Sequence, residues 1–106
     1  DDVTYVEAAR KLAERVMLDA PATPQGRIEY AFRTALARMP RPGEEQAVLD
    51  MLKHFEARYQ KDPKAASSLL SEGESVVSPR LQPTELAAYT TVASLLLNLD
   101  EMVTKE

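Results

Sequence analysis

The fold is decided by the stretch Leu86-Ala87-Ala88-Tyr89-Thr90-Thr91-Val92-Ala93-Ser94-Leu95-Leu96-Leu97-Asn98-Leu99. It belongs to a segment from about Pro83 to Thr104 whose apolar residues recur at spacings of three and four, the period of one helix face. They also spread onto the flanking sides of the predicted helix: Leu86, Tyr89, Val92, Ala93, Leu96, Leu97, Leu99, Met102 and Val103. A helix that is apolar over so much of its circumference is typical of the centre of a bundle.

Two helices are predicted at the start of the chain, and each has its own boundary signals. Thr4 is a candidate N-cap of the first helix, with Glu7 three residues later as the return arm of a capping box. Pro21 ends this helix. Thr23 is the predicted N-cap of the second helix, which continues to Met39. Its apolar face contains Ile28, Ala31, Phe32, Ala35, Leu36 and Met39.

The second helix is separated from a third by Pro40 and Pro42, because the residue before a proline avoids helical angles. Glu44 is placed to accept a hydrogen bond from the backbone of Arg41 and to favour the positive end of the third helix. Asp62 is the predicted cap of a short fourth helix, which ends near Gly73. The stretch from 73 to 82 is irregular, and three apolar residues are expected to pin it to the core: Val76, Val77 and Leu81.

Length and composition fit a single domain over residues 1–106. The sequence predicts an all-α bundle of about five helices, four long and one short, with no sheet. The net charge of −4 provides no general attraction to nucleic acid or to an anionic membrane. The chain has no cysteine, and no apolar run reaches the length of a membrane span.

Residues able to carry chemistry are few. His54 is the only histidine, and without cysteine or a second histidine it is a poor metal ligand. Paired carboxylates such as Glu44 and Glu45 can do acid–base work, but neighbours in a helix point in different directions. No serine lies in a nucleophile elbow, and no glycine-rich phosphate loop exists. We therefore expect no catalytic residue, no metal and no cofactor in this domain.

A polar interruption of the last helix is more informative. Asn98 lies among leucines, and Glu101 follows one turn later on the same side. A polar group within such a helix costs free energy unless it is hydrogen-bonded. The guanidinium of Arg38 matches a carboxylate with two parallel hydrogen bonds. We expect Arg38, Asn98 and Glu101 to form a polar clasp between the second and last helices, and a catalytic role for the same trio stays open.

Three pieces of sequence, in this order and spacing, carry a family resemblance. They are Tyr5-Val6-Glu7-Ala8-Ala9-Arg10, the string from Arg27-Ile28 through Ala31-Phe32-Arg33 and Ala35-Leu36-Ala37-Arg38-Met39-Pro40 to Glu44-Glu45, and Leu96-Leu97-Asn98-Leu99-Asp100-Glu101 with Thr104-Lys105-Glu106. Together they resemble the C-terminal part of the planctomycete PSD domain, a family of unknown function. The chain departs from the family pattern at Ala37, where glycine is expected, at Tyr89 in place of tryptophan, and at Met102 in place of phenylalanine.

The resemblance implies the C-terminal fragment of a large exported protein, in which cytochrome-c-like domains often occur. Any haem attachment would lie elsewhere, since this chain has no cysteine. The expected role is a non-catalytic structural or interaction module rather than an enzyme. Its expected partners are the upstream domains of the parent protein, or a second copy that docks through the last helix.

Two other functions are compatible with the sequence. In the first, the chain is part of an uncharacterised enzyme whose catalytic residues lie upstream. A helix-turn-helix DNA binder is a further alternative, because the second and third helices are joined by a short turn. However, the third helix begins Gly43-Glu44-Glu45, and these carboxylates would repel phosphates. We expect no nucleic-acid partner and no insertion into a membrane.

Overall fold

The computed structural model describes residues 3–73 and 75–104, and it describes side chains over 4–73 and 75–100. The described chain forms five helices: α1 (Val3–Asp19), α2 (Pro24–Leu36), α3 (Glu44–Lys61), α4 (Pro63–Leu70) and α5 (Pro83–Thr104). No strand occurs in the described ranges, so the predicted all-α bundle with four longer helices and one short one is confirmed. None of these helices is long and apolar enough to cross a membrane.

Helix α5 is the centre of the bundle and contacts each of the other four helices. The five consecutive residues from Leu86 to Thr90 are all buried. Five residues make more than one complete turn, so this part of α5 is covered on every side. The same core contains Val16 of α1, Phe32 of α2 and Leu52 of α3, each almost fully buried. Alanines at 87, 88 and 93 of α5 are also buried, and their small side chains let neighbouring helices approach closely.

Local hydrogen bonds define the beginnings of three helices. The hydroxyl of Thr23 accepts a hydrogen bond from the Gly26 N–H at 3.0 Å and caps α2. Asp62 Oδ1 accepts one from Ala65 N–H at 3.1 Å and caps α4. Glu44 Oε1 accepts one from Arg41 N–H at 2.8 Å at the start of α3. Each bond spans three residues, as capping geometry requires.

The beginning of α1 lies at the edge of the described residues. The helix starts at Val3, one residue before Thr4. The carboxylate of Glu7 accepts a hydrogen bond from the backbone N–H of Ser75. The capping box of Thr4 and Glu7 therefore stays a prediction.

Two sequence expectations about the loops were wrong. Helix α2 ends at Leu36 and not at Met39, because Ala37 adopts a left-handed conformation with φ 57°. Met39 is consequently exposed and does not continue the buried stripe. Val76 is 87% exposed, whereas Val77 and Leu81 pack against the core as expected.

The left-handed residue at the end of α2 generates a stability prediction. An L-residue with a Cβ pays about 1–2 kcal/mol in this conformation, and glycine does not. The substitution Ala37→Gly also increases the entropy of the unfolded chain, which offsets part of the gain. We expect Ala37→Gly to raise the free energy of unfolding by about 0.5–1 kcal/mol, measured by urea denaturation.

Ala57→Gly is the matched control. Ala57 is exposed within α3, where glycine is expected to lower the free energy of unfolding by about 1 kcal/mol. Equal losses from the two substitutions would show that Ala37 carries no conformational strain.

Candidate functional site

Arg10 of α1 is a charged side chain in the interior, only 1% exposed. Its Nη1 donates a hydrogen bond to Glu14 Oε2 at 3.1 Å. Its Nη2 donates to the backbone oxygen of Ser75 at 3.0 Å and also to the Ser75 hydroxyl. Glu7 Oε2 lies 3.9 Å from the same nitrogen. A buried arginine is tolerated only when it is paired and hydrogen-bonded in this way.

The two carboxylates that pair with Arg10 also hold backbone amides. Glu7 Oε2 accepts a hydrogen bond from Ser75 N–H at 2.6 Å, and Glu14 Oε2 accepts one from Ser78 N–H at 2.9 Å. We call these five residues the Arg10 clamp: Glu7, Arg10, Glu14, Ser75 and Ser78. The clamp fastens the irregular stretch between α4 and α5 to the side of α1.

Gly73 lets this stretch approach α1 closely. A Cβ at this position would lie 2.7 Å from Glu7 Cδ, and the backbone φ of +91° disfavours any other residue. Sequence reasoning missed the clamp. Its signal is the spacing Glu7, Arg10, Glu14, which places the three side chains on one side of a helix. The same spacing is common on solvated helix faces, so it does not by itself identify a buried site.

Arg38 was expected in a clasp with Asn98 and Glu101, but its guanidinium faces α3. Nη1 and Nη2 donate to the two carboxylate oxygens of Glu44 at 2.7 and 2.9 Å, a bidentate pair. The guanidinium also lies over the ring of Phe32, 5.5 Å from its centroid. Asn98 is exposed, and the part of the chain that the structure describes shows no hydrogen bond between it and Arg38. The side chain of Glu101 lies outside the described residues, so its contact with Arg38 stays a prediction.

A groove opens beside this ion pair, at the C-terminal part of α5. It has a volume of about 460 Å³. Leu36 and Leu99 form apolar walls, and the charged lining consists of Arg38, Arg41, Glu44 and Asp100. We call it the α5 groove. Leu99 is 45% exposed, and Leu95 one turn earlier is 38% exposed.

A second polar cluster joins α2, α3 and the start of α5. Arg27 Nη1 lies 3.4 Å from Glu85 Oε2, and its guanidinium stacks over the Tyr89 ring at 5.4 Å. Burial raises the pKa of Tyr89. Burial and the nearby Glu85 carboxylate raise the pKa of Glu56. A polar cleft of about 270 Å³ lies between Glu56 and Glu85. Gln60, Gln82 and Thr84 complete the lining of this cleft.

His54 is exposed on α3, and its ring meets the edge of Phe55 at a centroid distance of 5.4 Å. Ser67, Ser68 and Ser71 are exposed on or just after α4, and the Ser71 hydroxyl donates to the Ser68 carbonyl oxygen. Over the described ranges, no group of three histidine, aspartate or glutamate side chains is arranged to hold a metal ion.

Comparison with known protein families, with curated proteins and with solved structures finds no match.

The Arg10 clamp generates the first prediction from these sites. Arg10→Met keeps an unbranched apolar side chain but removes the guanidinium and leaves two carboxylates without their cation. We expect the free energy of unfolding to fall by roughly 2–4 kcal/mol, somewhat less than for a fully buried pair because Glu7 and Glu14 keep some solvent contact. Hydrogen exchange at the Ser75 and Ser78 amides should accelerate in the same variant.

Arg15→Met on the same helix is the control. Arg15 is exposed, so this change should alter the free energy of unfolding by no more than about 0.5 kcal/mol. Unchanged protection of both serine amides in Arg10→Met would refute the clamp.

Glu44 generates a pH prediction. The hydrogen bonds from Arg38 and from the Arg41 backbone lower its pKa from 4.5 to about 2. A depressed carboxylate pKa stabilises the fold above the unfolded value, and this contribution is lost as the pH falls from about 4.5 toward 2. The stability difference between the native protein and Glu44→Gln should therefore be full above pH 5 and should shrink toward pH 2, measured by denaturation across this range.

The neighbouring Glu45 provides a control of opposite sign. Burial and the Glu29 carboxylate raise its pKa, so its ionisation destabilises the fold as the pH rises above 4.5. Glu45→Gln should stabilise the protein at neutral pH. Parallel pH profiles for the two variants would contradict both assignments.

Proposed function

We propose that this chain is a non-catalytic helical module that binds a protein surface through the C-terminal part of α5. One observation carries the proposal. The first part of α5 is covered on every side. In its C-terminal part, Leu95 and Leu99 lie one turn apart on the same side of the helix, and both are exposed. An apolar patch with a charged border is typical of the centre of a protein interface.

The α5 groove extends this patch. Leu36 continues the apolar surface from Leu99, while Arg38 and Glu44 neutralise each other at the border. Met39, which the left-handed turn leaves 48% exposed, lies next to Arg38 in the chain. A partner that covered the groove would bury leucine side chains and would meet the charged side chains of Arg41 and Asp100 at the border.

We propose the planctomycete PSD domain as the family of this chain. The backbone at Ala37 supports this assignment, because glycine is expected there in the family and the observed φ of 57° favours glycine. Under this assignment, the partner is a preceding domain of a large exported protein, and any catalytic residues of that protein lie in its other domains.

The arrangement around α3 disfavours a DNA-binding role. A recognition helix contacts DNA with its N-terminal residues. Here Glu44 and Glu45 occupy that position, and the nearby guanidinium of Arg38 is already bound by Glu44. Asp50 is exposed on the same helix and would also repel phosphates.

In the isolated chain, a second copy is the available occupant of this surface. We expect concentration-dependent self-association by sedimentation velocity, and we expect Leu99→Glu to abolish it by placing a charge in the patch. The helical circular dichroism spectrum should not change, because Leu99 is already half exposed.

Leu18→Glu is the matched control. Leu18 is 42% exposed on α1 and does not line the α5 groove, so this variant should associate like the native protein. A native chain that stays monomeric at high concentration and binds no hydrophobic dye would contradict the proposed function.

A further inference from the structure

A second groove lies between α1 and α2, on a different side of the bundle from Leu95 and Leu99. Its apolar floor is formed by Leu12 of α1, Ala35 of α2 and Leu97 of α5. Lys11 and Arg15 of α1 form one border. The groove has a volume of about 290 Å³ and is open along its length. This is at or below the lower end of the roughly 300–1,000 Å³ typical of small-molecule pockets, so it fits a row of side chains better than an enclosed ligand. We call it the α1–α2 groove.

The charged side chains of α1 have different partners, although Lys11 lies one turn from both Glu7 and Glu14. Glu7 and Glu14 face the Arg10 clamp, where they bind Arg10 and two backbone amides. Lys11 and Arg15 are exposed at the groove, and neither forms an ion pair with a carboxylate among the described side chains. Arg15 makes only a 3.4 Å contact with the Tyr30 hydroxyl. The groove therefore carries positive charge in a chain whose net charge is −4.

We propose that the α1–α2 groove binds an acidic amphipathic helix of a partner protein. A channel between two packed helices accepts the apolar ridge of a third helix, which is a common mode of peptide recognition. Lys11 and Arg15 are four residues apart, so they lie about 6 Å apart along the axis of α1. Carboxylates spaced by one turn on the docked helix would meet both cations while its leucines contact Leu12 and Leu97.

Charge selects this occupant over others. A basic or neutral helix gains nothing from Lys11 and Arg15. Two cations on an acidic protein are few for a phosphate backbone, since neutralising many phosphates is what drives such binding. This inference is independent of the proposed role of α5, because it uses a different surface.

The test measures fluorescence anisotropy of two labelled probe peptides, each about 18 residues long so that it is able to form a helix. Both carry leucines at spacings of three and four. One has glutamates beside the leucines, and its twin has lysines at the same positions. We expect the acidic peptide to bind at least about tenfold more tightly than its twin, and to bind more weakly as salt is added.

Variants then locate the binding site. The double substitution Lys11→Glu with Arg15→Glu should weaken binding of the acidic peptide by about tenfold or more. The control, Lys53→Glu with Arg58→Glu, makes the same change in net charge at exposed positions on α3 and should leave binding within about twofold. Ala8→Glu, also at the groove, should weaken binding as well. Circular dichroism verifies that every variant keeps its helices.

Equal binding of the two peptides, or no binding of either, would overturn the proposal. Equal losses of affinity in the groove and α3 variants would overturn it as well. So would binding of the native protein to anionic lipid vesicles, if that binding depended on Lys11 and Arg15 and the acidic peptide did not compete with it.

Discussion

Leu86 through Thr90 are buried on every side of α5, and the rest of the structure depends on covering them. A single neighbouring helix covers one stripe of another helix, so a helix that is apolar all round needs neighbours on several sides. α1, α2, α3 and α4 provide them, and each contacts α5. This arrangement uses most of the chain, and it explains why the described residues are dominated by helices with short connections. Within α5, the exposed Leu95 and Leu99 lie beyond the segment that is covered on every side.

The Arg10 clamp provides hydrogen-bond partners for backbone groups between α4 and α5. The described residues between α4 and α5 form no helix or strand, so their backbone N–H groups need other partners. Glu7 and Glu14 accept hydrogen bonds from two of them, and both carboxylates pair with Arg10. A buried arginine costs free energy, and here it pairs with two carboxylates and donates a hydrogen bond to the backbone oxygen of Ser75.

The ion pairs of the bundle affect which charged side chains line its two grooves. Carboxylates of α1 are used inside the clamp, and this leaves Lys11 and Arg15 as the charges of the α1–α2 groove. Arg38 is bound by Glu44 at the border of the α5 groove, which Arg41 and Asp100 also line. Among the described side chains, no group of three histidine, aspartate or glutamate residues is arranged to hold a metal ion.

The amino-acid sequence by itself determined what depends on neighbours within a few residues. The helical period and the proline positions predict five helices. The caps at Thr23 and Asp62 and the bond from Arg41 to Glu44 follow from a spacing of three residues. Only the tertiary structure decided which distant groups meet. Arg10 binds Ser75 across 65 positions, and periodicity holds no information about such a separation.

The partner of Arg38 was also not predicted from the sequence, although Glu44 is only six residues away. From the sequence, its guanidinium was expected to bind Asn98 and Glu101 of the last helix. The structure shows that the left-handed backbone at Ala37 ends α2 early and that Arg38 binds Glu44 at the start of α3. The side chain of Glu101 lies outside the described residues, so that part of the expectation stays a prediction. An alanine in a sequence does not predict a left-handed backbone conformation, because alanine prefers the right-handed helix.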